Sequence, residues 1–197
     1  MQRRIGLTGG IASGKSSVGS LLVTRGWPVL DADQFAHEAL TPGSTTSAAV
    51  LAHFGQSIQT AGEPACINRA ALGRIVFSDS TERQWLEQLI HPLVRHRFDQ
   101  ELHRLNAAPL IVLMVPLLFE ANLTAMCSEI WLVDCEEDQQ IDRLMRRSNL
   151  TEQEAKQRLK AQWPLATKRQ LADQIIDNRG SKDNLARQVA SLATFEQ

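Results

Sequence analysis

A glycine-rich segment near the start of the chain carries the residue types of a phosphate-binding loop. The segment Gly9-Gly10-Ile11-Ala12-Ser13-Gly14-Lys15-Ser16 satisfies the pattern G-x-x-x-x-G-K-[ST]. Its glycines let backbone N–H groups converge on phosphate oxygens, and a helix that begins near Gly14 adds positive dipole charge. Lys15 is predicted to reach the β- and γ-phosphates of a nucleoside triphosphate, and the Ser16 hydroxyl to complete a Mg²⁺ shell. The predicted ATP-binding residues are Gly10, Ile11, Ala12, Ser13, Gly14, Lys15, Ser16 and Ser17.

A pair of aspartates follows the second apolar run of the sequence. Asp31 and Asp33 lie at its carboxyl end, which is where the crevice of an open α/β sheet binds ligands. A carboxylate in that place can accept the proton of an attacking hydroxyl and hold it in line with a γ-phosphoryl group. The structural alternative is a strand-ending aspartate that caps the next helix. The pattern favours the catalytic interpretation for Asp33 and leaves both interpretations open for Asp31.

Alternating apolar runs and helical patterns indicate the elements that position these groups. The candidate strands are Ile5–Thr8, Pro28–Asp31, Leu110–Val115, Ile130–Asp134 and Ile175–Asp177. The third run is apolar at every position, as expected for a strand that is covered on both faces. This rhythm is typical of βαβ units around a parallel sheet. We predict a three-layer α/β P-loop fold with a five-stranded parallel sheet, an inserted helical substrate lobe and a helical lid.

The chain between the second and third candidate strands is too long for a simple crossover. We therefore assign residues 34–109 to the inserted substrate lobe and residues 138–163 to the lid. The nucleotide-binding core then consists of residues 1–33, 110–137 and 164–197. Capping-box patterns predict helix starts at Thr81-Glu82-Arg83-Gln84 and at Thr151-Glu152-Gln153-Glu154.

The bulk composition limits the classes of function. The formal net charge is −1 at pH 7, whereas proteins that bind nucleic-acid phosphates usually carry a basic excess. The three cysteines have no disulfide-type or metal-type spacing, which favours reduced thiols in a cytosolic protein. The first residues contain no apolar stretch as long as a signal peptide or a membrane span. We expect a cytoplasmic monomer that binds neither nucleic acid nor a membrane.

The residues after the fourth candidate strand allow two functions. Asp134 ends an apolar run, as the Mg²⁺-binding aspartate of P-loop motors does, and Glu136 would then polarise water for hydrolysis. The polar segment that follows favours phosphoryl transfer, because kinases close a lid that excludes water. Arg143 and Arg147 share a helix face, from which they could stabilise the transferring phosphoryl group. A solvated helix surface is the alternative for these arginines.

Taken in order, these motifs resemble those of the dephospho-CoA kinase family. The resemblance rests on Gly6-Leu7-Thr8-Gly9-Gly10 and the loop that follows, Asp31-Ala32-Asp33 with Ala36-His37, Asn68-Arg69 with Leu72, Ile90-His91-Pro92, Pro116-Leu117-Leu118-Phe119-Glu120, Gln140-x-x-Arg143 with Arg147, Gln162, Lys168, Ala172-Asp173 and Asp177-Asn178. It covers essentially the whole chain. Two positions depart from the family pattern: Ala12, where glycine is frequent, and Ser148, where an acidic residue often follows the lid arginine.

The resemblance implies transfer of the γ-phosphoryl group of ATP to the ribose 3′-hydroxyl of dephospho-CoA, the last step of coenzyme A biosynthesis, with Mg²⁺ as cofactor. It implies catalytic roles for Asp33, Lys15, Arg143 and Arg147. The implied substrate-binding residues are Thr8, Asp33, His37, Arg69, His91, Pro116, Leu117 and Glu120, and the implied metal ligand is Ser16. Two other functions stay open: another small-molecule P-loop kinase, for a nucleoside or nucleotide, and a non-catalytic nucleotide-gated switch.

Overall fold

The structure is a computed structural model that describes residues 2–194, apart from the side chains of Pro64 and Thr194. The strands are β1 (Arg3–Gly9), β2 (Val29–Asp31), β3 (Gln59–Thr60), β4 (Glu63–Ile67), β5 (Leu110–Met114), β6 (Glu129–Asp134) and β7 (Gln174–Asp177). The helices are α1 (Lys15–Val23), α2 (Ala32–Ala39), α3 (Thr45–Phe54), α4 (Arg69–Ser78), α5 (Ser80–Arg104), α6 (Glu137–Ser148), α7 (Glu152–Lys160), α8 (Leu165–Arg169) and α9 (Lys182–Thr194).

Two compact units make up the described chain. One contains the residues up to Asp31 together with those from Leu105 onward, and the other spans Ala32–Arg104. The second unit covers nearly the same residues as the inserted lobe predicted at 34–109. The functional division into core, lobe and lid stays a prediction.

The first unit is built on a parallel five-stranded sheet with the order β2-β5-β1-β6-β7. All five predicted strands are present, and their ends shift by one or two residues at most. Every residue of β5 is buried, which explains why its sequence is apolar throughout. Because all five strands run in the same direction, their carboxyl ends meet at one edge, where the loop after β1 also lies.

Helices α1 and α9 pack on this sheet through apolar stripes. Val18 and Leu22 of α1 and Leu185 and Val189 of α9 belong to a buried cluster with residues of β1, β5, β6 and β7. Burying each such side chain contributes roughly 1.5–3 kcal/mol. The stripe therefore fixes α1 on the sheet, and with it the position of the glycine-rich loop from which α1 begins.

The second unit contains α2 to α5 and a short antiparallel hairpin of β3 and β4. Phe35 and Phe98 meet edge to face in its interior, with ring centroids 5.0 Å apart. The capping box predicted at Thr81 is wrong: the Asp79 side chain accepts the N–H groups of Thr81 and Glu82, and α5 already begins at Ser80. The capping box predicted at Thr151 is confirmed.

Candidate active site

The glycine-rich loop follows β1 directly and ends where α1 begins. Gly14 is the residue before α1 and has φ 105°, a conformation that residues with a Cβ rarely adopt. A Cβ placed on Gly14 would lie 2.0 Å from the Nδ2 atom of Asn178, so a side chain there would strain the backbone and displace Asn178 from the loop. Ala12 also has positive φ, 58°, which accounts for the frequency of glycine at this family position.

Lys15 lies over the loop rather than in solvent. It is buried, and its Nζ atom is 3.1 Å from the Gly10 carbonyl oxygen. Ser16 and Ser17 follow in the first turn of α1, and both are exposed. The amino terminus of α1 and the Lys15 ammonium therefore place positive charge at one end of the loop, as binding of a polyphosphate requires.

Side chains from distant segments bind the loop's backbone carbonyls. Gln140 Nε2 donates to the Ile11 carbonyl at 2.6 Å, and Asn178 Nδ2 donates to the Ser13 carbonyl at 2.7 Å. Arg143 donates to the carbonyls of Ala12 and Ser13, both at 3.3 Å. The loop's peptide planes are therefore held from outside by α6 and by the residue after β7.

The two predicted lid arginines occupy different surroundings. Arg143 is half-buried and also donates to the Asn178 carbonyl at 2.9 Å. Arg147, one turn later on α6, is exposed. The charge of Arg147 acts on Arg158 of α7 instead. The pKa of Arg158 is lowered mainly by burial, is raised by the negative charge of Glu154, and is lowered further by the positive charge of Arg147. The structure thus brings Arg143, but not Arg147, onto the loop.

A buried lysine of α8, Lys168, contacts the chain segment that follows β5. Lys168 is fully buried, and its Nζ is 2.7 Å from Glu120 Oε1 and 3.3 Å from the Pro116 carbonyl oxygen. The Thr8 hydroxyl donates to the same carbonyl at 3.2 Å. The Trp163 N–H donates to Glu120 Oε1 at 3.0 Å. Three predicted substrate-binding residues, Thr8, Pro116 and Glu120, are therefore joined in one network around Lys168.

Replacing Glu120 with glutamine is expected to destabilise the fold by about 3 kcal/mol, because Lys168 would keep a buried charge without a counter-ion. Urea unfolding measures the effect. The double variant Glu120→Gln/Lys168→Met removes both charges and should recover most of the loss. A single variant within about 0.5 kcal/mol of the parent would show that the pair is unimportant for stability.

The carboxylates of the hydrolysis alternative are engaged in ion pairs. Asp134 is buried, and its Oδ2 accepts from Arg169 Nε at 2.9 Å. Glu136 caps α6 through a capping box with Gln139 and pairs with Arg179 at 3.1 Å. A carboxylate used in this way is poorly available to polarise water, so this geometry does not favour hydrolysis.

Burial disfavours the thiolate form of two of the cysteines. Burial raises the pKa of Cys127 to about 11 and also raises the pKa of Cys135, which follows Asp134. A thiolate is the nucleophilic form of cysteine, so neither residue has the properties of a catalytic nucleophile.

The remaining predicted site residues belong to the second unit, except Leu117, which is half-buried just after β5. Asp33 is exposed in the first turn of α2, two residues after the end of β2, and His37 is exposed in the last turn of the same helix. Arg69 is exposed at the first position of α4, after the capping residue Asn68. His91 is half-buried on α5.

Four residues with these contacts have no role in the site predicted from the sequence: Gln140, Gln162 and Asn178, which bind the loop backbone, and Lys168, which binds Glu120 and the Pro116 carbonyl. All four occur among the motifs that carry the family resemblance, and only this resemblance marked them as candidates for the site. Glutamine, asparagine and lysine are common on solvent-exposed surfaces, so residue type alone could not predict these contacts.

Comparison with known proteins decides the family. The family model described as dephospho-CoA kinase matches residues 3–184. A dephospho-CoA kinase of Parasynechococcus marenigrum (strain WH8102) is 60% identical over 185 residues, which are 94% of this chain and 92% of that protein. The chain belongs to the dephospho-CoA kinase family.

Solved structures agree with the fold expected of a dephospho-CoA kinase. A Thermus thermophilus protein matches with a TM-score of 0.80 and 35% identity, over 100% of this chain and 98% of the other. The dephospho-CoA kinase from Campylobacter jejuni matches with a TM-score of 0.69 and 24% identity, over 98% and 96%. The predicted dephospho-CoA kinase family, enzyme class and α/β P-loop fold are confirmed.

A P-loop kinase of the dephospho-CoA kinase family takes a nucleotide as one substrate. Within the described residues, no helix combines the length and apolar character that a membrane span requires.

Proposed function

We propose that this chain transfers the γ-phosphoryl group of ATP to the ribose 3′-hydroxyl of dephospho-CoA, giving ADP and coenzyme A. The observation that carries the proposal is the glycine-rich loop with Lys15 folded over it and α1 beginning at its end, in a chain matched almost throughout by the dephospho-CoA kinase family. Such a loop binds the triphosphate of a nucleotide through backbone N–H groups, a lysine and a helix terminus.

Residues Gly10 to Ser17 hold the triphosphate in this proposal. The loop N–H groups surround the β-phosphate, and Lys15 moves from the Gly10 carbonyl to the β- and γ-phosphate oxygens. The carbonyls of Ile11, Ala12 and Ser13 are already bound by side chains, so the loop needs little rearrangement when ATP enters. Preorganised donors of this kind contribute a large part of phosphoryl-transfer catalysis.

Ser16 fits the Mg²⁺ ion that accompanies ATP. Ser16 is exposed in the first turn of α1, next to Lys15. Mg²⁺ prefers oxygen ligands and usually keeps several waters and substrate phosphates, so few protein ligands suffice. When bound, Mg²⁺ neutralises charge on the β- and γ-phosphates.

The second unit, Ala32–Arg104, is proposed to bind dephospho-CoA. Asp33 would accept the proton of the 3′-hydroxyl, and the exposed side chains of Arg69 and His37 would contact the substrate. Arginine is well suited to phosphate groups, which the acceptor carries in its diphosphate. The family resemblance also assigns substrate binding to His91 of this unit and, in the first unit, to Thr8, Pro116, Leu117 and Glu120.

Of the two lid arginines, Arg147 is proposed to contact the transferring phosphoryl group. Arg143 already holds carbonyls of the loop and of Asn178, whereas Arg147 is exposed on α6. An arginine that acts on closure of a lid, here residues 138–163, must be able to move to the phosphoryl group.

Replacing Arg147 with alanine is therefore expected to lower kcat about tenfold or more and leave the Kd of ATP nearly unchanged. Arg143→Ala should instead raise the Kd of ATP, because loop carbonyls lose their donor. Steady-state kinetics with calorimetric ATP binding separates the two effects, and Arg146→Ala, an exposed arginine on the same helix, is the matched control. A loss of ATP affinity in Arg147→Ala with kcat intact would reject the assignment.

Acceptor-dependent ADP release tests the proposed reaction. The chain should release ADP rapidly with dephospho-CoA and much more slowly with a nucleoside monophosphate or pantothenate. ADP release that is independent of any acceptor would indicate hydrolysis. Nucleotide binding without turnover would indicate a switch.

The cellular setting is part of the proposal. Cys66, Cys127 and Cys135 are free thiols, which fits the reducing conditions of a cytoplasm. We also propose that the protein acts as a monomer, and size-exclusion chromatography with light scattering tests this point directly.

A further inference from the structure

Ile11 has both of its backbone polar groups bound by glutamine side chains. Its N–H donates to Gln162 Oε1 at 2.8 Å, and its carbonyl accepts from Gln140 Nε2 at 2.6 Å. The two bonds fix two consecutive peptide planes, one on each side of the Ile11 Cα atom. Because N–H and C=O point in opposite directions across a trans peptide, Gln140 also sets the direction of the Ala12 N–H.

The two glutamines lie at opposite ends of the segment 138–163. Gln140 is in the first turns of α6, and Gln162 follows the end of α7 by two residues. Between them the chain forms two helices that pack on each other through Ile141, Leu144 and Ala155. The segment 138–163 is therefore hydrogen-bonded to Ile11 near each of its two ends.

Apolar packing and close approach support this arrangement independently. Ile11 and Ala12 pack against the buried cluster of α6 and α7. A Cβ on the neighbouring residue Gly10 would lie 2.3 Å from Gln140 Nε2, so the absence of a side chain there lets Gln140 reach the loop. Gln140 itself is 5% exposed, which makes an unpaired amide at this place costly.

We infer that Gln140 and Gln162 are positioning residues that couple the conformation of the phosphate-binding loop to both ends of the segment 138–163. They do so through their two hydrogen bonds to the backbone of Ile11, which together are called the Ile11 clasp. The inference rests on the proposed function in one respect, namely that this loop binds ATP. Displacing either end of the segment would release one peptide plane of Ile11, and phosphate binding that fixes the loop would in turn hold both ends of the segment.

Hydrogen exchange of the Ile11 amide tests the clasp without any ligand or turnover. In protein labelled with ¹⁵N-isoleucine, Gln162→Ala should exchange this amide about tenfold faster, the effect of losing its hydrogen bond. Gln140→Ala keeps the Gln162 acceptor but frees the peptide plane on the other side of Ile11, so it should also speed exchange, by a smaller factor. Gln157→Ala, which changes an exposed glutamine of α7 within the same segment, should leave exchange unchanged. Unchanged exchange in both Gln162→Ala and Gln140→Ala would overturn the inference.

Glutamate substitutions test whether Gln162 acts as a hydrogen-bond acceptor and Gln140 as a donor, or whether both act by packing alone. Gln162→Glu keeps an oxygen that can accept the Ile11 N–H, so protection of this amide should be retained. Gln140→Glu replaces a donor with an oxygen that faces the Ile11 carbonyl, so protection should fall at least as far as in Gln140→Ala. Equal behaviour of the two glutamate variants would contradict the assigned hydrogen bonds.

Limited trypsin digestion tests the coupling. A non-hydrolysable ATP analogue with Mg²⁺ should slow cleavage after Lys156, Arg158 and Lys160 in the parent protein, and this protection should be lost in the double variant Gln140→Ala/Gln162→Ala. Full protection in the double variant, at analogue concentrations shown by calorimetry to saturate it, would overturn the coupling. If the parent protein fails to bind the analogue, the proposed function is wrong, and the exchange rates still decide whether the clasp exists.

Discussion

Replacing Lys15 with alanine is expected to lower kcat by at least about 100-fold, comparable to the loss of one preorganised donor at a developing charge. The Lys15 ammonium lies over the loop, 3.1 Å from the Gly10 carbonyl oxygen, and reaches the β- and γ-phosphates in the proposed complex. Because charge on the transferring group grows in the transition state, its removal should affect turnover more than ground-state binding.

Steady-state kinetics and a thermal melt measure this effect together. Lys182→Ala is the matched control, since Lys182 is an exposed lysine at the start of α9 and should tolerate the change. Near-normal turnover in a folded Lys15→Ala protein would remove the glycine-rich loop from the mechanism.

The largest effect is expected for Asp33→Asn, with a loss of about 10²- to 10⁴-fold in kcat, the usual contribution of general-base catalysis. Asparagine keeps the size and one acceptor oxygen but cannot take the proton of the 3′-hydroxyl. ATP binding should survive, because the glycine-rich loop holds the triphosphate through its own groups. Rate measurements at saturating ATP and dephospho-CoA give kcat directly.

A helix-stabilising role is the competing explanation for Asp33. Since α2 begins at Ala32, Asp33 lies inside the first turn, where a carboxylate contributes about 0.3–1 kcal/mol through the helix dipole. Asp183 occupies the same second position in α9 and is also exposed, so Asp183→Asn is a matched control. Full activity with a lowered melting temperature in Asp33→Asn, as expected for Asp183→Asn, would reject the catalytic assignment.

The parts of the fold that could be predicted from the sequence are those set by local patterns. The all-apolar run 110–115 and the glycine-rich loop between a strand and a helix each specify their own structure, and both are found. The capping box at Thr81 failed for a local reason. Asp79 lies two residues before Thr81, and its carboxylate accepts the N–H groups of Thr81 and Glu82, so α5 begins at Ser80, ahead of the predicted start.

Much of the candidate site could not be predicted, because its contacts join distant positions. Gln140 and Gln162 bind Ile11 across 129 and 151 residues, and Asn178 binds Ser13 across 165. No periodicity or spacing encodes such pairs, since they arise only when the carboxyl ends of parallel strands meet. The family resemblance marked these residues, whereas the geometry shows what they touch.

The position of the transferred phosphate tests the central claim most directly. The chain is incubated with ATP labelled with ³²P at the γ-phosphate, Mg²⁺ and dephospho-CoA, and the acceptor product is isolated and treated with a 3′-specific nucleotidase. We predict one labelled phosphate per product molecule, fully released by that enzyme, with ADP formed in equal amount. Label recovered as inorganic phosphate, or on another hydroxyl of the acceptor, would contradict the proposed reaction.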